Sequence, residues 1–215
     1  MNKNIYLLSP IVVDDLDIKK LDIFDIGFIK YRIDFHLYDA LLFTSKNAIY
    51  SLQNNNEWKD IPSYAISNKT ANILKDNNSN LVFTGTSGHG DDFANELIPK
   101  LQNKKVLYIR AKEVVSNLVN ILNSNNVVCD EIVTYETICK TYDEKEQPIK
   151  NSIIIFSSPS TIKCFFNNFT WDNSYFAVVI GKTTAKYLPS YINYKIAQKT
   201  SIESCIQMAK SFSKY

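Results

Sequence analysis

The chain has 215 residues, with 24 Lys and Arg against 22 Asp and Glu, and 45% of the residues are hydrophobic. That length suffices for one large domain or two small ones with an ordinary buried core, and the balanced charge excludes a general nucleic-acid binder, which needs a strongly basic face. No apolar run approaches the roughly 20 residues that span a bilayer, and the start of the chain does not resemble an export signal, so we predict a cytoplasmic protein with no membrane or nucleic-acid partner.

The predicted elements alternate between short apolar runs and helical patterns. The apolar runs predict strands at residues 5–8, 40–43, 81–84, 106–110, 127–128, 153–156 and 194–197. Helical spacing of apolar residues predicts helices at residues 49–52, 91–101, 114–122, 162–166 and 202–212. Runs that are apolar throughout are typical of strands buried on both faces of a parallel sheet. Strand, polar turn and helix in alternation indicate an α/β protein.

The strongest feature of the sequence is an internal repeat. Residues 40–49 (ALLFTSKNAI) resemble residues 153–162 (IIIFSSPSTI), and residues 65–74 resemble residues 179–188. A third, shorter match joins the Thr-Ser pairs that begin at positions 86 and 200. Because the matches occur in the same order at offsets of 113 or 114 residues, they predict two related halves.

Two stretches of alternating apolar and polar residues predict strands exposed on one side, at residues 28–35 and 132–139. They bracket the first repeat unit. We therefore predict one domain at residues 36–131 and a second, discontinuous domain assembled from residues 1–27 and 140–215. The two stretches then act as connectors that pair as a β ribbon between two similar, flavodoxin/Rossmann-like domains with parallel sheets.

Hydroxyl-rich turns follow several of the predicted strands. They are Thr44-Ser45, Thr86-Ser87, Ser157-Ser158 and Thr183-Thr184. In a parallel sheet such turns lie at the carboxyl ends of strands, where ligands bind. Hydroxyl donors and the free N–H groups of a following helix suit a carboxylate or a phosphate. The alternative is that these residues only cap the helices that follow them.

Three further positions are candidate ligand contacts. Tyr135 lies within the second connector and faces either a ligand or the protein interior. Arg110 ends an apolar run, where it is either an anion clamp or one half of a surface salt bridge. The loop at residues 85–90 carries Ser87 and His89 but lacks the features of a P-loop or a dinucleotide fingerprint. We predict that this loop contacts an anionic ligand.

The cysteines and histidines are too few and too scattered for a metal centre. The four cysteines are Cys129, Cys139, Cys164 and Cys205. None of them belongs to a Cys-x-x-Cys pair, and the chain has only two histidines, so a structural zinc site is not expected. We expect four reduced thiols, as is usual in the cytosol.

Several motifs together resemble the uroporphyrinogen-III synthase family. They are FTSKNA at residues 43–48, LYIR at 107–110, VTYET at 133–137, FSSPST at 156–161 and IGKTTA at 180–185. They stand in the family's order and spread over most of the chain. Two positions depart from the pattern, because Ser9 precedes Pro10 where the family commonly has Arg, and Ser67 stands at the first-half equivalent of Gly181.

The resemblance implies a cofactor-free enzyme with its active site in a cleft between two α/β domains that a two-stranded ladder joins. Nothing in the sequence indicates an oligomer, and we expect a monomer. The implied substrate is hydroxymethylbilane, a linear tetrapyrrole with eight carboxylates, which loses its hydroxyl as water and closes with ring D inverted. Tyr135 would hydrogen-bond the departing hydroxyl as a general acid. The implied substrate-binding residues are Thr44, Ser45, Lys46, Asn68, Ser87, Arg110, Ser157, Ser158, Gly181, Thr183 and Thr184.

Two other functions use the same kind of turn. A phosphosugar-binding or isomerase domain also places Ser and Thr at the ends of α/β strands, and it would bind sugar phosphates but not the bilane. A non-catalytic two-domain module for anionic ligands is the second alternative, although such proteins usually carry an export signal. The phosphosugar-binding alternative also does not explain the duplication with its paired connectors.

Overall fold

Eleven strands and seven helices alternate along the computed structural model, which describes residues 3–11 and 13–213. The strands are β1 (Ile5–Leu8), β2 (Ile18–Leu21), β3 (Phe24–Phe28), β4 (Ala40–Phe43), β5 (Ser63–Ala65), β6 (Leu81–Thr84), β7 (Lys105–Ala111), β8 (Val128–Cys139), β9 (Ile153–Phe156), β10 (Phe176–Val179) and β11 (Tyr194–Ile196). The helices are α1 (Lys46–Tyr50), α2 (Asn68–Asp76), α3 (Gly90–Leu97), α4 (Leu118–Asn123), α5 (Pro159–Asn168), α6 (Lys182–Ala185) and α7 (Ile202–Ser213). The predicted α/β class is confirmed.

The chain divides into two compact units. The first unit comprises Met1–Asp25 and Ile138–Tyr215, and the second comprises Ile26–Thr137. The domain predicted at residues 1–27 and 140–215 includes positions 1, 2, 12, 214 and 215, which lie outside the described residues. Within the part of the chain that the structure describes, no helix is both long enough and apolar enough to cross a membrane.

The first unit is built on a five-stranded sheet in the order β11-β10-β9-β1-β2. Each neighbouring pair is parallel. All residues of β1 and β9 are buried, which is why both strands are apolar at every position. One face of this sheet packs against α7 through Cys205, Ile206 and Ala209.

The second unit contains a six-stranded sheet in the order β3-β8-β7-β4-β5-β6. Its strands β4 to β8 are paired in parallel. The residues of β7 alternate between two apolar clusters, with Val106 and Tyr108 on the side of α3 and α4, and Leu107 and Ile109 on the side of α1 and α2. The sheet is therefore covered by helices on both faces, as parallel sheets generally are.

The two sheets share one strand order, although the chain enters them at different places. The order β6-β5-β4-β7-β8 in the second unit corresponds to β11-β10-β9-β1-β2 in the first. The strands β7 and β8 follow β4 to β6 in the chain, whereas β1 and β2 precede β9 to β11. The halves are thus related by a circular permutation. This explains why the sequence repeat begins at β4 in the second unit and at β9 in the first.

Equivalent backbone hydrogen bonds support this correspondence between the halves. The Ile66 N–H donates to the Phe43 carbonyl, and the Ile180 N–H donates to the Phe156 carbonyl. Gly85 and Ala197 occupy the equivalent positions directly after β6 and β11. The third sequence match therefore does not align structurally equivalent residues. The Thr-Ser pair at position 86 therefore does not correspond to the pair at position 200.

The strand predicted at residues 28–35 is wrong. The strand is β3, which ends at Phe28, and residues 35–37 form a turn of 3-10 helix that begins where Asp34 accepts a hydrogen bond from the His36 N–H. Tyr31, Ile33 and Phe35 do pack against the core of the second unit. The alternation of apolar and polar residues therefore indicates an extended segment with one buried side, which hydrogen-bonds to β8 only at its start, where the Ile29 N–H donates to the Thr134 carbonyl.

The strand predicted at residues 132–139 and the short one at 127–128 form a single long strand, β8. It lies beside β3, and both strands cross the boundary between the units. Strand β2 was not predicted, because only one of its four residues, Leu21, is buried. The helix predicted at residues 91–101 ends as α3 at Leu97, after which Pro99 belongs to a 3-10 turn, since proline lacks the N–H that would continue an α-helix.

The expectation of four reduced thiols is wrong. Cys139, the last residue of β8, forms a disulfide with Cys164 on α5, and their Cα atoms are 5.1 Å apart. Cys129 and Cys205 are free and buried. Sequence spacing could not reveal the bonded pair, because the two cysteines meet only through the packing of α5 against the end of β8.

Candidate functional site

Each sheet has one point at which the chain reverses the direction in which it adds strands. In the second unit the chain runs outward from β4 to β6 and then returns to add β7 and β8 on the other side. In the first unit the corresponding point lies between β1 and β9. Ligands of open parallel sheets bind in the crevice outside the carboxyl ends of the strands at such a switch point.

A hydrogen bond joins the two sides of the switch point in the second unit. Thr44, directly after β4, and Tyr108, on β7, share a hydrogen bond of 2.8 Å between their hydroxyl oxygens. Tyr108 is only 2% exposed, and this burial raises the pKa of its phenol to about 12.

Tyr135 belongs to the same group of hydroxyls. It lies on β8 opposite Ala111, at an irregularity in the pairing with β7, and it is 6% exposed among apolar side chains. Burial raises the pKa of its phenol, and the nearby Ser45 hydroxyl opposes that shift in part. The phenol therefore keeps its proton across the physiological pH range. Tyr135 is close enough to Tyr108 for its charge to affect the pKa of that phenol.

Ser45 connects this group to the helix that follows it. Its hydroxyl accepts a hydrogen bond of 3.2 Å from the Asn47 N–H and so caps α1. The Ser45 hydroxyl therefore both caps α1 and lies near Tyr135. Lys46, the next residue, is exposed at the start of α1.

The guanidinium of Arg110 is engaged by the protein. Nη2 donates to Glu131 Oε1 at 2.7 Å, and Nη1 donates to the carbonyls of Ala111 and Lys112 at 2.8 and 3.0 Å. The side chain is 15% exposed, and its buried Nε has no hydrogen-bond partner among the described residues. Arg110 therefore forms a salt bridge, one of the two predicted alternatives. A contact between Arg110 and a ligand stays a prediction.

Asn68 and Ser87 lie at the ends of the outer strands of the second unit. Asn68 is the exposed first residue of α2, whose N-cap residue Ser67 makes no capping hydrogen bond through its side chain. Ser87 is exposed in the loop after β6, where its hydroxyl accepts a 3.1 Å hydrogen bond from the His89 N–H.

Gly85 fixes the start of that loop. A Cβ atom there would lie 2.8 Å from the Ile66 carbonyl oxygen and 2.7 Å from Phe93 Cδ2. We expect Gly85→Ala to lower the free energy of unfolding by about 2–3 kcal/mol, because a backbone oxygen and a buried ring must move. Urea unfolding measures the loss.

Gly88 provides the matched control for this prediction. Its φ is +72°, but a Cβ atom there would meet nothing within 4 Å, so Gly88→Ala should cost only about 1 kcal/mol of backbone strain. Equal losses for the two variants would contradict the steric argument at Gly85.

In the first unit, the hydroxyls after β9 are used within the fold. Ser157 Oγ donates to the carbonyl of Leu8, the last residue of β1, at 2.7 Å, and so crosses the switch point of that sheet. Ser158 caps α5 in a reciprocal arrangement with Thr161. These contacts fit the capping role that the sequence analysis kept as the alternative, and binding of a ligand by either serine stays a prediction.

The turn after β10 differs from the turn after β9. Gly181 is the N-cap residue of α6 and brings no side chain to the cap. Thr183 is exposed and Thr184 is buried. The Thr184 hydroxyl has no hydrogen bond to another of the residues that the structure describes.

Tyr108 was not among the predicted site residues. The signal was present, because Tyr108 is the one residue with a hydroxyl in the buried run of residues 106–109, and a buried phenol needs a hydrogen-bond partner. Across residues 3–11 and 13–213, no group of three or more His, Cys, Asp or Glu side chains is placed to hold a metal ion.

Comparisons with known proteins all point to one family. A family model described as uroporphyrinogen-III synthase HemD matches residues 27–207. The chain is 30% identical over 188 residues to a porphyrin biosynthesis protein HemD of Ruminiclostridium josui, a match that covers 79% of this chain and 37% of that protein. The chain therefore spans little more than a third of the length of this curated relative.

Two solved structures resemble the chain over its whole length. A uroporphyrinogen-III synthetase from Helicobacter pylori is 33% identical with a TM-score of 0.85, covering 98% of this chain and 99% of that one. A mutant uroporphyrinogen III synthase from Thermus thermophilus is 12% identical with a TM-score of 0.60, covering 99% and 100%. The second likeness concerns the fold alone.

Proposed function

Because the chain belongs to the uroporphyrinogen-III synthase family, as the match over residues 27–207 shows, we propose that it cyclises hydroxymethylbilane to uroporphyrinogen III. Ring D is inverted and water is lost. The observation that supports this proposal best is the cluster of four hydroxyls, those of Thr44, Ser45, Tyr108 and Tyr135, at the switch point of the second unit. The family relationship favours this function over a sugar-phosphate enzyme or a non-catalytic binding module.

The proposed reaction needs one proton in and one proton out. The bond between the hydroxymethyl carbon and its oxygen breaks, and a donated proton lets the oxygen leave as water. The ring D carbon that carries the bridge to ring C bonds to the cationic carbon and forms a spiro intermediate. The bond between that ring D carbon and the bridge then breaks, the released bridge carbon bonds to the unsubstituted α-carbon of ring D, and loss of a proton from that carbon restores the pyrrole. No electrons are transferred. Since the bilane also closes unaided to the uninverted isomer, the main task of the protein is to hold the reacting groups in one geometry.

Tyr135 is the proposed donor to the leaving hydroxyl. Its phenol stays neutral because burial raises its pKa, and the Ser45 hydroxyl lies near it. A neutral, oriented O–H group can hydrogen-bond the departing oxygen as negative charge develops on it. A strong acid is not needed, because the cation that forms is stabilised by the pyrrole itself.

The substrate carboxylates are proposed to bind the hydroxyl, amide and lysine groups that follow the strands. Short hydroxyl donors and backbone N–H groups hydrogen-bond carboxylates well, and a charged acceptor strengthens those bonds. The proposed contacts, besides Tyr135, are Thr44, Ser45, Lys46, Asn68, Ser87, Arg110, Ser157, Ser158, Gly181, Thr183 and Thr184. We further propose that the protein acts as a monomer in the cytoplasm, and light scattering of the purified chain would test the first part.

Separation of the product isomers tests the proposed function. Freshly made hydroxymethylbilane is incubated with the purified chain, with heat-denatured chain and with buffer, and the oxidised products are separated by chromatography. We expect mostly type III product with the native chain and type I in both controls. A native sample that matches the controls would refute the assignment.

A further inference from the structure

Tyr108 is a buried tyrosine whose hydroxyl contacts a proposed site residue. Its phenol and the Thr44 hydroxyl share a hydrogen bond of 2.8 Å. Thr44 follows β4 and Tyr108 lies on β7, so this hydrogen bond links the two strands that border the switch point. Thr44 is partly exposed, whereas Tyr108 is not.

The hydrogen bond between Thr44 and Tyr108 uses one of the two hydroxyl protons. When the Tyr108 phenol donates to the Thr44 oxygen, the Thr44 O–H has no acceptor among the described residues, because Thr44 makes no other side-chain hydrogen bond to them. A carboxylate beside Thr44 would accept that O–H and favour this orientation, and the two hydrogen bonds would strengthen each other.

We propose that Tyr108 is a positioning residue of this site, which orients the Thr44 hydroxyl as a donor to a carboxylate of the substrate. The inference rests on the proposed function and deepens it, because it assigns one carboxylate contact to a particular hydroxyl and explains what orients it. Tyr108 does not itself touch the substrate. Its effect on activity therefore passes through Thr44.

Tyr64 is a matched control for Tyr108. It lies on β5 in the same apolar cluster, is 3% exposed, and makes no side-chain hydrogen bond to another described residue. Tyr108→Phe and Tyr64→Phe each remove the phenol oxygen of a buried tyrosine. Only the first change removes a hydrogen bond to a proposed site residue.

The test measures type III formation by the whole chain in a double-mutant cycle of Tyr108→Phe and Thr44→Val. We expect Tyr108→Phe to raise KM about three- to thirtyfold, the range for losing one hydrogen bond and leaving its partner unoriented, with kcat changed less than threefold. Tyr64→Phe should leave both constants within twofold. The double variant should bind no more weakly than Thr44→Val alone, because the two residues act through one contact.

Several outcomes would overturn the inference. Equal effects of Tyr108→Phe and Tyr64→Phe, or additive effects in the double variant, would show that Tyr108 does not act through Thr44. If Tyr108→Phe does not fold, as judged by thermal unfolding, Thr44→Val alone is measured, and an unchanged KM in that variant would also contradict the inference. A wild-type chain that forms no type III product would refute the proposed function itself, and the inference with it.

Discussion

Tyr135→Phe is expected to slow formation of the type III product by about ten- to thousandfold, the range for losing a general acid or an oriented donor. The substitution removes one oxygen atom and keeps the ring that packs in the core of the second unit. Substrate binding should change less, because the carboxylate contacts are spread over many turns. Single-turnover measurement of product formation, with the isomers separated, gives the rate.

Two further measurements make the Tyr135 result specific. Tyr175→Phe removes another buried phenol, one that donates to the Pro148 carbonyl in the first unit, and it should leave the rate within about twofold if loss of a buried hydrogen bond alone is harmless. Because burial holds the pKa of Tyr135 above its ordinary value near 10, the wild-type rate should show no alkaline fall from this group below that pH. Retention of the wild-type rate and selectivity by Tyr135→Phe would remove Tyr135 from the site.

Loss of the disulfide between Cys139 and Cys164 is expected to lower the free energy of unfolding by about 3 kcal/mol. The bond closes a loop over a sequence separation of 25 residues, and cross-linking a loop of that length restricts the unfolded chain by about this amount. Reduction of the wild-type chain with dithiothreitol should therefore lower its denaturation midpoint in urea.

The double variant Cys139→Ala/Cys164→Ala serves as the control. It should already show the lowered midpoint and should not respond to dithiothreitol, whereas the wild-type chain should respond. A thiol assay of the unreduced, denatured chain should find two free thiols, those of Cys129 and Cys205. Four free thiols would contradict the bond and restore the expectation of a fully reduced protein.

The buried parallel strands could be predicted from the sequence because burial on both faces leaves a plain trace. Strands β1, β4 and β9 are apolar at nearly every position, and each was predicted at its observed bounds. Edge strands leave a weaker trace. In β2, two of the four residues are exposed lysines, and nothing in that pattern distinguishes a paired edge strand from a loop.

Contacts between distant residues could not be predicted in the same way. Thr44 and Tyr108 are 64 residues apart in the chain, and they meet only because β4 and β7 are neighbours in the sheet. The hydroxyl turn after β4 was visible in the sequence, but its partner required the strand order. The same holds for Cys139 and Cys164, whose pairing depends on how α5 packs.

The central claim is that this chain directs ring closure to the type III isomer, and the direct test is the isomer ratio as a function of protein concentration. The protein is first dialysed against a chelator, since the proposal requires no cofactor, and a fixed amount of hydroxymethylbilane is then allowed to react completely. We predict that the type III fraction rises with protein concentration toward completeness, because the enzymatic route competes with spontaneous closure. A type III fraction that stays at the buffer value at every concentration would contradict the claim.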